Sequence, residues 1–401
     1  MREPWEFKYV MRSPAILRHF FSTLICITVS VAPIRAQTDV SGEVNLTRCW
    51  AHGTAASGMS RLAFDGTRIF LSAPGAKIES LSSDGKKLWS TELGGDITSN
   101  LLPMENALFL STAPSLGESG KRQASVLRAL SKETGITSWT IQLTDADEHY
   151  IGSFSGNLIV VSGNGVVQSL EPRTGAVVWR REVSDRFVAE PAFNSTKVVI
   201  PASGRQIFAI SLATGQIDSL QKVSFDVTAV AETHTGELIA GDDRGNISSM
   251  LSGGGKANWK FKTGGQISTV FPVGENIMAA SHDNFVYLLV SRNGGVVWKR
   301  RLPGRMTQIG AIANKYALMT SIEEHSAVLV DLTSGKAATS IFLGPEERIV
   351  HDPVGANGTL YLLTNEAVYS YSLRACPLNT EGGPDKVPVT ASPKTILAAN
   401  R

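Results

Sequence analysis

A glycine four residues ahead of a tryptophan recurs along this 401-residue chain, at Gly85/Trp89, Gly135/Trp139, Gly175/Trp179, Gly255/Trp259 and Gly294/Trp298. Two further copies keep the glycine and lose the ring: TGQIDSL places Ser219 at the tryptophan position, and SGKAATS places Thr339 there. The markers 89, 139, 179, 219, 259, 298 and 339 are spaced by 50, 40, 40, 40, 39 and 41 residues, and the long interval holds an insertion, APSLGESGKRQA, residues 113–124. A unit of this size cannot bury its own apolar faces and must stack on its neighbours, so the period overrides the two or three separate domains that length alone suggests.

Within one period, VVQSLEP reads as an alternating strand, RTG as a turn and AVVWRREV as the next strand. FVAEPAF and KVVIPAS follow before QIFAISL restarts the cycle. Four short strands per period make one propeller blade, with the glycine reversing the chain between the third and fourth strands and the tryptophan on the outermost strand, covering the seam to the next blade. Seven blades end at the markers. The strands IVHDPVGA, TLYLLT and AVYSYSLRAC, residues 349–376, then lack a fourth strand. EVNLTRCWA, residues 43–51, supplies it, since Trp50 lies one 39-residue step before Trp89. The expected fold is all-β, an eight-bladed propeller over residues 43–376, its ring closed by the N-terminal strand. Closure brings Cys49 beside Cys376, predicting a disulfide worth about 4–5 kcal/mol on the loop-entropy account.

Hydrophobic residues make up 42% of the chain and charged residues 18%, ample for a large core. A net charge of +2, with Lys and Arg scattered, gives no footprint for nucleic acid. The chain starts with Arg2, Lys8, Arg12 and Arg18, followed by the apolar run FFSTLICITVSVA, residues 20–32, and PIRAQ with Ala36 at a small-residue cleavage position. This pattern is that of a secretory signal peptide over residues 1–36, with Met11 an alternative start. The 13-residue run falls short of the roughly 20 residues that span a bilayer. Leu24 and Ile25 precede Cys26 where a lipoprotein signal has small residues, which argues against a lipid anchor. A periplasmic or secreted location is expected. Residues 377–401, rich in Pro, Gly and small polar residues, read as a flexible tail.

The repeats QSLEPRTGAVVW and RALSKETGITSW closely resemble the pyrroloquinoline-quinone-like propeller repeat, and the resemblance covers residues 43–376. That superfamily includes quinoprotein dehydrogenases and non-enzymatic lipoproteins of outer-membrane β-barrel assembly, and the mature length here is similar to the second group. The dehydrogenases hold their quinone between a tryptophan and a vicinal disulfide, beside calcium and a catalytic aspartate. This sequence has no Cys-Cys pair and no C-x-x-C-H motif. It also lacks G-x-S-x-G, H-E-x-x-H and a phosphate-binding loop. No catalytic residue, cofactor or metal ligand is assigned. The six tryptophans Trp50, Trp89, Trp139, Trp179, Trp259 and Trp298 are assigned to blade packing.

The turns between second and third strands share a face with the links between blades, so equivalent positions form a ring there. Blades 5, 6 and 7 place Asp242, Asp243 and Arg244, then His282, Asp283 and Asn284, then Glu323, Glu324 and His325 in those turns. They read as a net acidic face for a protein partner, tunable by the histidines, although turns also favour Asp and Asn for conformational reasons. The expectation is an exported, non-catalytic, monomeric scaffold that binds protein partners in the cell envelope and does not span the membrane. A quinone- or sugar-binding redox protein that uses the central funnel is the alternative.

Overall fold

A computed structural model gives the structure of the protein and describes residues 44–376 apart from 59, 116–122, 146–147, 184, 252–256, 304–305, 314, 322–324 and 357. The expected signal peptide (1–36), with Met11 and Cys26, the tail (377–401) and most of the blade 2 insertion lie outside the described residues.

Eight antiparallel sheets follow one another along the chain. In blade 2 the first strand is broken into Asp96–Ile97 and Leu102–Met104, both pairing with Ala107–Ala113. The last sheet runs, in spatial order, Thr47–Gly53, Ala367–Ser372, Thr359–Leu363 and Val354–Ala356, so the N-terminal strand is the fourth strand of blade 8. The architecture is thus an eight-bladed propeller closed by its own N-terminal strand.

Buried side chains form eight clusters, each drawing on two neighbouring blades. The period-2 geometry of a strand explains how. Along Ala107–Ala113, Leu108 and Leu110 face blade 1 while Phe109 faces blade 3. Middle strands are therefore apolar on both faces, as in parallel sheets covered on both sides. This corrects the alternating reading of VVQSLEP: Val166–Leu170 is buried throughout, its polar members Gln168 and Ser169 included. Only the outer strands alternate against solvent, as Val177–Glu182 does.

At six seams a tryptophan ring from the outer strand of one blade lies over the turn between third and fourth strands of the next. Its indole N–H donates to a backbone carbonyl there: Trp50 to Ser83 at 3.0 Å, Trp89 to Lys132 at 2.7 Å, Trp139 to Pro172 at 2.9 Å, Trp179 to Leu212 at 3.2 Å, Trp259 to Ser291 at 2.6 Å and Trp298 to Leu332 at 2.9 Å. In blades 1, 2, 3, 6 and 8 the pairing register shifts at the residue just before this tryptophan, and blades 4 and 7 have the same bulge before Ser219 and Thr339, so it belongs to the outer strand itself rather than to the indole. The glycine below has two reasons to be glycine. Gly85 sits at φ +85°, and a Cβ there would lie 2.7 Å from Cδ2 of Trp50. Truncating a fully buried indole to alanine costs about 3–5 kcal/mol, an upper bound for the half-buried Trp50, Trp89, Trp139 and Trp179, and these contacts are a principal link between blades.

Blade 8 has no turn between its third and fourth strands, because those strands are opposite ends of the folded chain. The Cys49–Cys376 disulfide links them instead, with a Cα–Cα distance of 5.3 Å across a separation of 327 residues. Cys49 is the bulge residue before Trp50.

Gly85→Ala should therefore destabilise the protein by about 1–3 kcal/mol more than Gly66→Ala, measured by urea unfolding. Gly66 has an equally strained φ of +98° but open space around it, so the difference isolates the tryptophan contact. A thiol titration of the oxidised, denatured protein should find neither Cys49 nor Cys376, and reduction should lower the unfolding midpoint.

Candidate functional site

The first strands of neighbouring blades contact one another, for example Val227–Glu232 with Ile267–Val273, and so form the inner wall of the ring. The turns between second and third strands meet the links between blades on one face: Leu93 N donates to Ala76 O at 3.1 Å and Val183 N to Gly165 O at 3.0 Å.

The structure places the predicted turn residues on this face but divides their roles. Asp242 has no solvent exposure; its carboxylate accepts from Arg244 N at 2.9 Å, Asn246 N at 2.7 Å and Asn246 Nδ2 at 2.6 Å. It builds the turn and presents nothing to a partner, which corrects its expected place on the rim. Asp283 is half-buried and accepts from Gly264 N at 2.7 Å, Phe285 N at 3.0 Å and the Tyr287 hydroxyl at 2.7 Å. Burial opposes its ionisation, yet the hydrogen bonds, led by that of Tyr287, outweigh burial and hold the carboxyl below its ordinary value. Asp243 and Arg244 are exposed. His282 is half-buried, and Asn284 takes the left-handed conformation at φ 68° that tight turns require. His325 is exposed and its Nδ1 lies 2.8 Å from the Glu347 carbonyl, while Glu323 and Glu324 lie outside the described residues. Blade 4 adds Arg205 to this ring, its charge balanced by Asp226, which lies 3.0 Å from its Nε.

A second group lies at the head of the first strands, where the inner wall meets this face. Arg61, on the link from blade 8 to blade 1, pairs with Glu148 of blade 3 at 3.2 Å, and the Tyr150 hydroxyl donates to the same carboxylate at 3.4 Å. Arg61 is fixed from behind by its backbone N–H to Ser72 Oγ at 2.8 Å and its guanidinium to the Gly58 and Ser60 carbonyls at 3.3 Å. Glu190 of blade 4 and Asp352 of blade 8 act electrostatically on one another and on Arg61. Side chains of blades 8, 1, 3 and 4 meet only across the ring axis, so this is the mouth of the central channel. Glu190 and Asp352 are both solvent-exposed at the channel mouth, with protein dense around them. Desolvation by that surrounding protein raises both carboxyls, Asp352 to about 6, against the pull of Arg61; Asp352 and Glu148 raise Glu190 further. Burial likewise holds His351 down at about 4, opposed by a hydrogen bond to the Asp352 carbonyl and aided by Arg61. Sequence reading missed this group because it aligned only the turns between second and third strands, whereas these residues stand just before first strands.

Ser111, His149 and Asp145 also come together, with Ser111 Oγ 3.4 Å from His149 Nδ1 and His149 Nε2 3.2 Å from Asp145. Ser111 and His149 have no solvent exposure, so the trio ties blade 2 to blade 3 and offers no nucleophile to a substrate.

A family model described as outer membrane protein assembly factor BamB matches residues 43–149 and 123–340. The chain belongs to this family of pyrroloquinoline-quinone-like propellers. It is 23% identical over 264 residues to the BamB of Yersinia pestis, covering 60% of this chain and 65% of that protein. It is 24% identical over 312 residues to the BamB of Salmonella typhimurium, covering 70% and 76%. The fold is similar to the crystal structure of BamB from Moraxella catarrhalis, at a TM-score of 0.61 and 15% identity over 82% of this chain and 98% of that one. It is also similar to the computationally designed Ika8 protein, at a TM-score of 0.65 and 13% identity, over 81% and 98%. It is likewise similar to the C-terminal WD40 domain of Sif2, at a TM-score of 0.66 and 12% identity, over 84% and 100%. Shape alone therefore reports the propeller fold, and family membership rests on the sequence match.

Asp352 releases its proton near 6 when folded and near 3.8 when unfolded, so the native state binds more protons between these values. Stability therefore falls as pH rises through that window, and the penalty persists above it. Asp352→Asn should raise the melting temperature at pH 7 by up to about 2 °C, screened by channel solvent, and leave it unchanged near pH 3.5.

Proposed function

We propose that this chain is an exported, non-catalytic scaffold that binds protein partners in the cell envelope and takes part in outer-membrane protein assembly. The observation that carries the reading is the family match across residues 43–340. The signal-like segment of residues 1–36 supports export, and among the described residues no helix is long and apolar enough to cross a membrane. The working face we propose is the one that bears the channel mouth. It combines fixed charge at Arg61, Glu148, Glu190 and Asp352 with exposed Asp243 and Arg244, and with Val188 on the link between blades 3 and 4, which is 54% exposed. Charge of both signs around exposed aliphatic surface is suited to orienting a protein partner as well as attracting it.

Affinity capture from envelope extracts tests the reading, with retained proteins identified by mass spectrometry. The wild-type chain should retain components of outer-membrane β-barrel assembly, and the combined change Glu190→Lys, Asp243→Lys, Arg244→Glu should reduce their recovery by about tenfold. Recovery of none of them overturns the function; equal recovery by the folded variant overturns the face.

A further inference from the structure

The fourth strands make the outer wall of the ring. On them the marker position turns toward the seam, so strand alternation sends the residues one and three places after it into solvent. Blades 5 and 6, neighbours in the ring, are the two that carry cations at both places: Lys260 and Lys262, then Lys299 and Arg301, all exposed. The carboxylates at these places, Glu92 and Glu182, stand on blades 1 and 3. Cations scattered along the sequence are thus gathered on one side of the wall by a step of 39 residues, from Lys260 to Lys299 and from Lys262 to Arg301.

None of the four forms an ion pair with a carboxylate among the described residues. Lys299 Nζ lies 4.9 Å from the centre of the Phe285 ring, and Lys262 Nζ donates to the Arg244 carbonyl, contacts that neutralise neither charge. Apolar side chains share the wall. Val296 and Val297 begin the strand that carries Lys299 and Arg301 and are 49% and 46% exposed, and Phe342, on the outer strand of blade 7, is 69% exposed.

A small anion would need donors that converge on a point in a concave site. These cations instead stand on two separate strands, about 7 Å apart along each, and all face outward, which fits an extended surface of negative charge. An acidic polypeptide answers the charge alone. A bilayer with anionic headgroups answers both features, because an apolar layer lies directly beneath its charge, and mixed basic and apolar faces are what such interfaces retain.

We infer that the outer wall of blades 5 and 6 docks on an anionic phospholipid bilayer, with Lys260, Lys262, Lys299 and Arg301 at the headgroups and Val296, Val297 and Phe342 entering the interface. The ring then stands on its side, with its axis along the membrane plane and the channel mouth opening parallel to the surface. This stands independently of the proposed function.

Vesicle co-sedimentation tests it, using residues 38–401, which hold the whole closed ring and its disulfide and leave out the apolar run of residues 20–32. The protein should sediment with vesicles of equal parts phosphatidylglycerol and phosphatidylcholine in low salt, be released by about 0.5 M salt, and stay in solution with phosphatidylcholine alone. Each Lys or Arg at such a surface adds about fivefold to the partition, so the combined change Lys260→Gln, Lys262→Gln, Lys299→Gln, Arg301→Gln should weaken binding at least about tenfold. Lys86→Gln, Lys87→Gln, Arg173→Gln, Arg180→Gln removes the same charge from blades 1 to 3 and should weaken it less than about twofold. No binding to the anionic vesicles, equal binding to phosphatidylcholine alone, or equal loss in the two variants would overturn the inference. Retention on immobilised polyglutamate without binding to vesicles would assign the wall to an acidic protein and overturn the lipid occupant. Should the fourfold variant not fold, the pairs Lys260→Gln, Lys262→Gln and Lys299→Gln, Arg301→Gln decide, each with an expected loss of at least about threefold.

Discussion

The structure depends on one repeated contact, an indole laid over a glycine turn of the neighbouring blade with its N–H bonded to a carbonyl of that turn. A four-stranded sheet has two apolar faces and cannot stand alone in water. What turns eight such sheets into a ring is a link of fixed length and direction at each seam. The indole N–H bond to a carbonyl of the next blade's turn supplies the direction, and the turn glycine supplies the closeness of approach. Because the partner of every tryptophan lies about 33 residues ahead, or 43 across the insertion, each link is local in sequence and the ring assembles from neighbour contacts.

The exception is closure. Blade 8 draws its outer strand from the far end of the chain, so one seam must be joined without a turn. The loss of the ring at position 339 follows from that topology: with no turn between third and fourth strands in blade 8, an indole from blade 7 has no seat. Leu46 occupies the space from the other side, and the disulfide replaces the missing covalent connection. The loss of the ring at position 219 has no such topological excuse, since blade 5 is built from one continuous stretch of chain.

The candidate site was legible only in outline. The alignment of repeats located the turns of blades 5 to 7 on one face, but it did not separate a carboxylate that builds a turn from one that faces solvent. Asp242 and Asp243 are adjacent in sequence, and strand alternation sends one inward to three N–H donors and the other outward. The channel-mouth group of Arg61, Glu148, Glu190 and Asp352 was invisible for a different reason. These residues lie far apart in sequence and become neighbours only because the ring closes on itself. The protein gathered around Glu190 and Asp352 by that closure raises both carboxyls, a shift no single repeat encodes.

The sequence by itself determined the architecture: strand count, blade number, the closing strand and the cysteine pair all follow from a 40-residue period with glycine and tryptophan in fixed register. Periodicity is a local property, and a local signal that marks eight positions, five of them with both glycine and tryptophan, is strong. Only the tertiary structure decided which tryptophan seats on which turn, which seam goes without, which turn residues are spent on backbone hydrogen bonds, and which charges meet across the axis. Those outcomes depend on distances between blades, and such distances exist only once the ring is closed.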